Sequence, residues 1–389
     1  MVSSSQAKYG SLLLRRAWPV LLTLISFIPV AAAISTSASD PSADQWELTT
    51  TADDSGHVYV LYPQYRSLAD CATCRVPTLT LVTSHDEGAH WEAPRALTPT
   101  RSGQVSPQVV VDAADHRVVY ATWLENNRQD VMVAKSSDFG QSWSIVLADH
   151  GAFDGVSASA EHPVIAARGQ DVYVGYTRGH LLWAAVSHSG GVAFSSVIVH
   201  SGASFVAALS GAAAVDSDGN VYFAWAGYTQ NIGGRVHLYI SRLVDRGGRW
   251  ATNLMDTSRV PDGCAAYHCA WGYLGAQISL AADAGGVLYA LWTASSALNQ
   301  PERVYFASST THGETWSPKS ELSNAPPNAR EAFPVIAAGA AGTVRVAWMD
   351  SRFSPNWSAF YRTSTNGGAT WSDEHQIMSR ALASLYAPN

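Results

Sequence analysis

Charge of either sign is scarce in this chain. Asp, Glu, Lys and Arg together make up 14% of the 389 residues, and 31 acidic side chains outnumber 24 basic ones for a formal net charge of -7. That argues against nucleic acid as a main partner, because phosphate binding needs a basic footprint. Long apolar runs are lacking as well: beyond the N-terminus, no stretch is long and apolar enough to span a bilayer. Cysteine is limited to four residues. What the chain does have is 47% hydrophobic residues and 14 tryptophans, a globular composition rather than a disordered one.

The first 33 residues read as an export signal. Lys8, Arg15 and Arg16 are followed by an apolar run from Ala17 that ends in Ala31-Ala32-Ala33, with no acidic residue before it ends. Small residues at the end suit cleavage, and Pro19 and Pro29 interrupt the run, so a cleaved leader is favoured over an uncleaved membrane anchor. A secreted or cell-envelope location follows, with the membrane involved only through that segment if it stays attached. In an oxidising compartment the cysteines default to disulfides. They form two local pairs, Cys71 with Cys74 and Cys264 with Cys269. Pairing within each is plausible. A cross-loop pairing or a four-thiolate zinc site is the alternative.

The dominant signal is a repeat. SHDEGAHW (84–91), SSDFGQSW (136–143), STTHGETW (309–316) and STNGGATW (364–371) are copies of one motif. Weaker copies are SHSGGVAF (187–194) and SRLVDRGGRW (241–250). Starts at 84, 136, 187, 241, 309 and 364 divide the chain into six units. In step with them runs an alternating segment ending in an aromatic: VYVLY, VYATW, VYVGY, VYFAW, LYALW and VRVAW, ending at Tyr62, Trp123, Tyr176, Trp225, Trp292 and Trp348. Alternation of this kind marks strands. Turns such as DDSGH (53–57), DSDGN (216–220) and ADAGG (282–286) precede most of them and suit tight hairpins. DSDGN lacks the length and distal Glu of a calcium loop and reads as a hairpin. Each unit therefore predicts four antiparallel strands. Six such units predict an all-β, six-bladed β-propeller over 45–380, after a linker at 34–44 and before a tail at 381–389.

In each motif the glycine (Gly88, Gly140, Gly313, Gly368) permits positive φ. Asp86 and Asp138 can accept bonds from turn N–H groups. Trp91, Trp143, Trp316 and Trp371 are large enough to pack between neighbouring sheets. These are structural roles. Thr311 and Asn366 replace the Asp in later copies, which a turn tolerates and a catalytic position would not.

The motif S-x-D-x-G-x-x-W closely resembles the Asp-box of the sialidase (neuraminidase) superfamily, and the sixth unit looks like the repeats of bacterial sialidase-like proteins. The resemblance spans roughly residues 45–380. It implies a substrate carboxylate held by three arginines, a Tyr–Glu nucleophile pair and an Asp acid/base. The first of those arginines lies in an R-I-P motif. The matching slots here read Val105-Ser106-Pro107, Glu161-His162-Pro163 and Ala332-Phe333-Pro334, without Arg.

Loops after the second strands and between blades should carry function. Glu161, Glu331, Asp262 and Tyr267 are the candidate catalytic groups, as carboxylates and a tyrosine suited to glycoside hydrolysis. Arg66, Arg178, Arg259, Arg330, Arg352 and Trp271 are the candidate ligand-binding groups. Asp350 and Arg352 are favoured as a structural ion pair instead. The long loop 254–277 holds several candidates, and long loops in compact folds are often functional. No metal or other cofactor is expected, since His162 and His268 lack a third ligand at recognisable spacing. The readings are an exported propeller, expected as a monomer, that binds an extracellular glycan or cell-envelope partner; a divergent exo-glycosidase of sialidase type; and a protein-binding scaffold.

Overall fold

A computed structural model describes residues 47–65, 71, 73–74, 76–100, 102–151, 159–201, 205–207, 213–228, 235–244, 248–259, 276–297, 300–353 and 357–378. All regular structure among them is β-strand, in six antiparallel sheets that are the blades of a propeller. Blade 1 is β1 (Thr49–Ala52), β2 (Val58–Gln64), β3 (Thr78–Ser84) and β4 (Arg95–Ala96). Blade 2 is β5 (Val105–Val111), β6 (Val119–Glu125), β7 (Asp130–Ser136) and β8 (Ser144–His150). Blade 3 is β9 (Ala160–Arg168), β10 (Asp171–Arg178), β11 (Leu181–Ser187) and β12 (Ser195–His200). In blade 4 the innermost strand comes in two pieces, β13 (Phe205–Ala207) and β14 (Ala213–Val215), both paired with β15 (Val221–Tyr228). The blade ends with β16 (Val236–Leu243) and β17 (Ala251–Ser258). Blade 5 is β18 (Ile278–Ala282), β19 (Leu288–Ala294), β20 (Arg303–Ser309) and β21 (Ser320–Glu321). Blade 6 is β22 (Glu331–Ala338), β23 (Val344–Asp350), β24 (Ser358–Ser364) and β25 (His375–Met378).

Each blade is a meander in which sequential strands are neighbours. First-to-second-strand turns and Asp-box hairpins therefore share one face, the box face. Second-to-third-strand loops and blade-to-blade connections share the other, the loop face. Ser136 Oγ accepts from the Gly140 N–H at 2.8 Å, and the Asp138 carboxylate accepts from the Ser142 N–H at 2.9 Å. Thr311 and Asn366 accept the same turn N–H, from Thr315 and Thr370. The weaker third copy is built alike, with Ser187 and Ser189 accepting from Gly191 and Ala193. The DSDGN turn is a hairpin: Asp216 accepts from the Asp218 and Asn220 N–H groups, and Gly219 has φ 85°.

The core lies between blades. One apolar cluster fills each junction from blades 1–2 to blades 5–6. The strand-ending aromatics Trp123, Tyr176, Trp225, Trp292 and Trp348 are essentially inaccessible, and each such side chain contributes roughly 3 kcal/mol. On the box face Asp112 accepts from Gly169 N–H at 2.8 Å and Asp283 from Gly342 N–H at 2.7 Å, tying each blade to the next. Among the described residues no comparable packing joins blade 6 to blade 1. The face of blade 6 turned away from blade 5 is open: Val335 is 59% exposed. The blade 1 cluster Val60, Tyr62, Val82 and Trp91 includes no blade 6 residue.

Cys71 and Cys74 form a disulfide. It consumes both thiolates, so a four-thiolate zinc site has no ligands there. Cys264 and Cys269 lie outside the described residues.

Candidate functional site

The loop-face ends of the innermost strands share a backbone device. Ser106, His162 and Phe333 adopt left-handed φ values of 53°, 49° and 54°, each just before a proline. At each, the register of the innermost strand slips: Ser106-Pro107 stands opposite Trp123, His162-Pro163 opposite Tyr176 and Phe333-Pro334 opposite Trp348. Two residues opposing one is a β-bulge, which bends the strand and re-aims a side chain. Glu47, just before β1, is also left-handed at φ 57°. Such conformations cost about 1–3 kcal/mol in non-glycine residues and cluster at functional sites.

The three bulges coincide with the slots that match R-I-P in position but lack its Arg. The side chains gathered there come from blades 1 to 3. Arg128 sits in the β6–β7 loop, where Asn126, Asn127 and Arg128 are all left-handed, at 51°, 54° and 64°. Its guanidinium donates to Glu161 Oε1 at 3.0 Å, and both side chains remain nearly half exposed, at 48% and 46%. His162 feels the charges of Glu161, Glu47 and Arg128. Burial pushes its imidazole below the usual histidine range, and the two carboxylates oppose that shift. The chemistry available is a carboxylate pair, a guanidinium and an imidazole, enough to donate to and accept from sugar hydroxyls.

The other candidates on described residues stand elsewhere. Arg178 is fully buried, paired with Asp149 at 2.6 Å and stacked 5.3 Å from the Tyr176 ring centre. Asp149 also accepts from Ser196 at 2.6 Å, which joins blades 2 and 3. Arg352 clamps Asp350 with both ends of its guanidinium, at 2.9 and 2.6 Å, pairs with Glu374 and covers the Phe360 ring. Glu331 is fully buried, pairs with Arg303 at 2.8 Å and accepts from Val304 N–H. Burial pushes its carboxyl up to about 7 against the pull of Arg303. Arg330 is half-buried in blade 6 and Arg259 exposed at the end of blade 4. Glu161 and Glu331 are thus three blades apart, one at an open mouth and one sealed. Arg66, Asp262, Tyr267 and Trp271 lie outside the described residues.

On the box face, Asp216, Asp218 and His312 bring ligand atoms within 4.8 Å of one another. The inner oxygens of Asp216 already accept from two backbone N–H groups, Asn220, Tyr222 and His312. An ion there would have to displace buried donors, so the set fits a hairpin lock better than a metal site.

Glu47 escaped the sequence reading because it follows no motif. The x-x-Pro slots are the signal that marks Glu161 and His162, because a proline on an innermost strand cannot join the ladder and sits at a bulge, whereas Arg128, in the β6–β7 loop, carries no such signal.

A family model for the BNR repeat-like domain matches residues 31–267. The chain belongs to that family. A search of curated proteins gave no match. Among solved structures, a NanB sialidase of Streptococcus pneumoniae is similar at 8% identity and TM-score 0.53, over 81% of this chain and 66% of that one, just under two thirds of its length. An ulvan lyase bound to an oligosaccharide is similar at 10% identity and TM-score 0.50, over 84% and 82%. A protein of unknown function from Dyadobacter fermentans is similar at 11% identity and TM-score 0.51, over 79% and 90%. At these identities the likeness is one of fold.

Proposed function

We propose that this is an exported propeller that binds a glycan at the axis end of its loop face, through Glu47, Arg128, Glu161 and His162. One observation carries the reading: bulged, left-handed innermost strands present polar side chains at the axis, where the Arg128–Glu161 pair stays open to solvent. Two structural neighbours, a sialidase and an ulvan lyase, act on glycans, and the Cys71–Cys74 disulfide fits an oxidising compartment. A sialidase-type hydrolase is the weaker reading. It needs free guanidinia for a substrate carboxylate, whereas Arg178, Arg303 and Arg352 are engaged by Asp149, by Glu321 and Glu331, and by Asp350 and Glu374.

A glycan array probed with the purified protein tests this, beside Glu161→Gln and His162→Ala, with a fluorogenic sialoside assay in parallel. Binding to a defined glycan set, weakened tenfold or more by either change, is expected. Sialoside turnover abolished by Glu161→Gln would replace the binding reading with the hydrolase. Retention unaltered in both variants would move the site elsewhere.

A further inference from the structure

The charge at the axis says what kind of glycan fits. Glu47 and Glu161 supply two carboxylates against one guanidinium, and Arg128 is already bonded to Glu161 at 3.0 Å. Glu47 is exposed and makes no hydrogen bond or ion pair among the described residues. The His162 ring is largely enclosed and likewise makes no hydrogen bond there, so its nitrogens are left for a ligand. Enclosure keeps that ring neutral near pH 7, so it offers one donor and one acceptor and no balancing charge. Phe333, on the matching bulge of blade 6, adds an apolar side chain at the axis end of its strand.

Among the described residues gathered at this mouth, a carboxylated or sulfated sugar would bring a third negative charge and meet one guanidinium, Arg128, already paired with Glu161. The largely buried guanidinia farther out, Arg178, Arg303 and Arg352, are held by their own carboxylates. An ammonium group meets the reverse situation: among the described residues Glu47 has no partner, and Glu161 has a second oxygen beyond the one facing Arg128. Resting on the reading of this site as a glycan-binding one, we propose that its ligand is a glycan with free amino groups, a cationic hexosamine oligomer, and that it discriminates against anionic sugars. Complementary charge acts here mainly as specificity, by excluding the wrong partner.

The test is calorimetric titration of the full chain at pH 6 with three probes: a glucosamine hexamer, its fully N-acetylated counterpart and a galacturonate hexamer. The expected result is that the glucosamine hexamer binds at least tenfold more tightly than the acetylated one, with no galacturonate binding. Glu47→Gln and Glu161→Gln should each reduce that preference at least threefold. Glu314→Gln removes the same charge from an exposed position on the box face and should leave it intact. If Glu314→Gln lowers the preference equally, the attraction is diffuse and the proposal fails. Equal binding of the two hexosamine oligomers, or tighter galacturonate binding, overturns the cationic preference while the glycan reading stands. Binding of none of the three, with an empty glycan array, overturns both.

Discussion

Tyr59 of blade 1 lies directly under Gly140 of blade 2, so close that a Cβ on the glycine would sit 3.1 Å from the ring. Gly191 over Tyr120 repeats the arrangement at 3.1 Å and Gly313 over Tyr222 at 3.5 Å. The Asp-box glycine therefore does two things: it takes a positive φ and lets the hairpin settle on the preceding blade's tyrosine. Gly140→Ala should cost about 2 kcal/mol, part from φ and part from the ring. Gly169→Ala is the control. Its φ is 63° but nothing lies within 4 Å of a Cβ, so it should cost about 1 kcal/mol. Urea midpoints of the two variants measure the difference. Equal costs would mean that the tyrosine contact carries no energy.

The same series bears on the junction between blades 6 and 1. Five units place a tyrosine at this strand position, and the sixth places Arg345, which is exposed. Val335 in blade 6 matches Val164 in blade 3, each following the bulge proline. Val164 is 1% exposed and Val335 59%. Val164→Glu buries an unpaired charge and should cost more than about 4 kcal/mol. Val335→Glu should change stability by less than about 0.5 kcal/mol. A large loss from Val335→Glu would show that blade 6 is covered by blade 1 in solution.

The blades were legible in the sequence because their signal is repeated and local. Six boxes in step with six aromatic-ended strands leave few alternatives to a propeller. Even the degenerate box at Ser187 could be placed, since hydroxyls at Ser187 and Ser189 do the work of Ser and Asp. The site was legible only in part. Glu161 and Glu331 each stand at the start of an innermost strand before a proline, but Glu161 matches Ala332 and Glu331 matches Ala160, so their side chains turn to opposite faces of the sheet, one 46% exposed and the other sealed. A neighbour far away in the chain then completes each environment. Arg303 comes from blade 5 to cover Glu331, whereas Arg128 reaches Glu161 from the rim. Pairing across blades leaves no periodic trace, and so Arg178 also reads as a ligand-binding residue, whereas the Asp350–Arg352 pair lies within one blade and two residues of chain and is legible as an ion pair.

Arg178 and Asp149 make the sharpest test of that pairing. With the guanidinium fully buried and Asp149 8% exposed, Asp149→Ala leaves a buried charge uncompensated and should cost about 3–5 kcal/mol. The double variant Asp149→Leu, Arg178→Met should recover most of that loss, because an apolar pair of similar volume needs no compensation. Chemical denaturation of the three proteins gives the comparison. If the double variant is as unstable as Asp149→Ala, then Arg178 does something in blade 3 beyond neutralising Asp149.

Glu331 ties stability to pH in the unusual direction for a carboxylate. Burial raises its folded value from the ordinary 4.5 to about 7. Between those values the folded protein holds a proton that the unfolded chain has released, so unfolding releases it. The contribution is fully present below pH 4.5 and is lost as pH rises through about 7, reaching about 3 kcal/mol at most. Glu331→Gln keeps an acceptor for the Val304 N–H but cannot ionise. Its stability should therefore fall less between pH 5 and pH 8 than that of the parent, by up to about 2 kcal/mol. Urea midpoints at the two pH values give the comparison, and groups elsewhere cancel in the difference. Parallel pH profiles would mean that Glu331 is ionised throughout, with Arg303 outweighing burial.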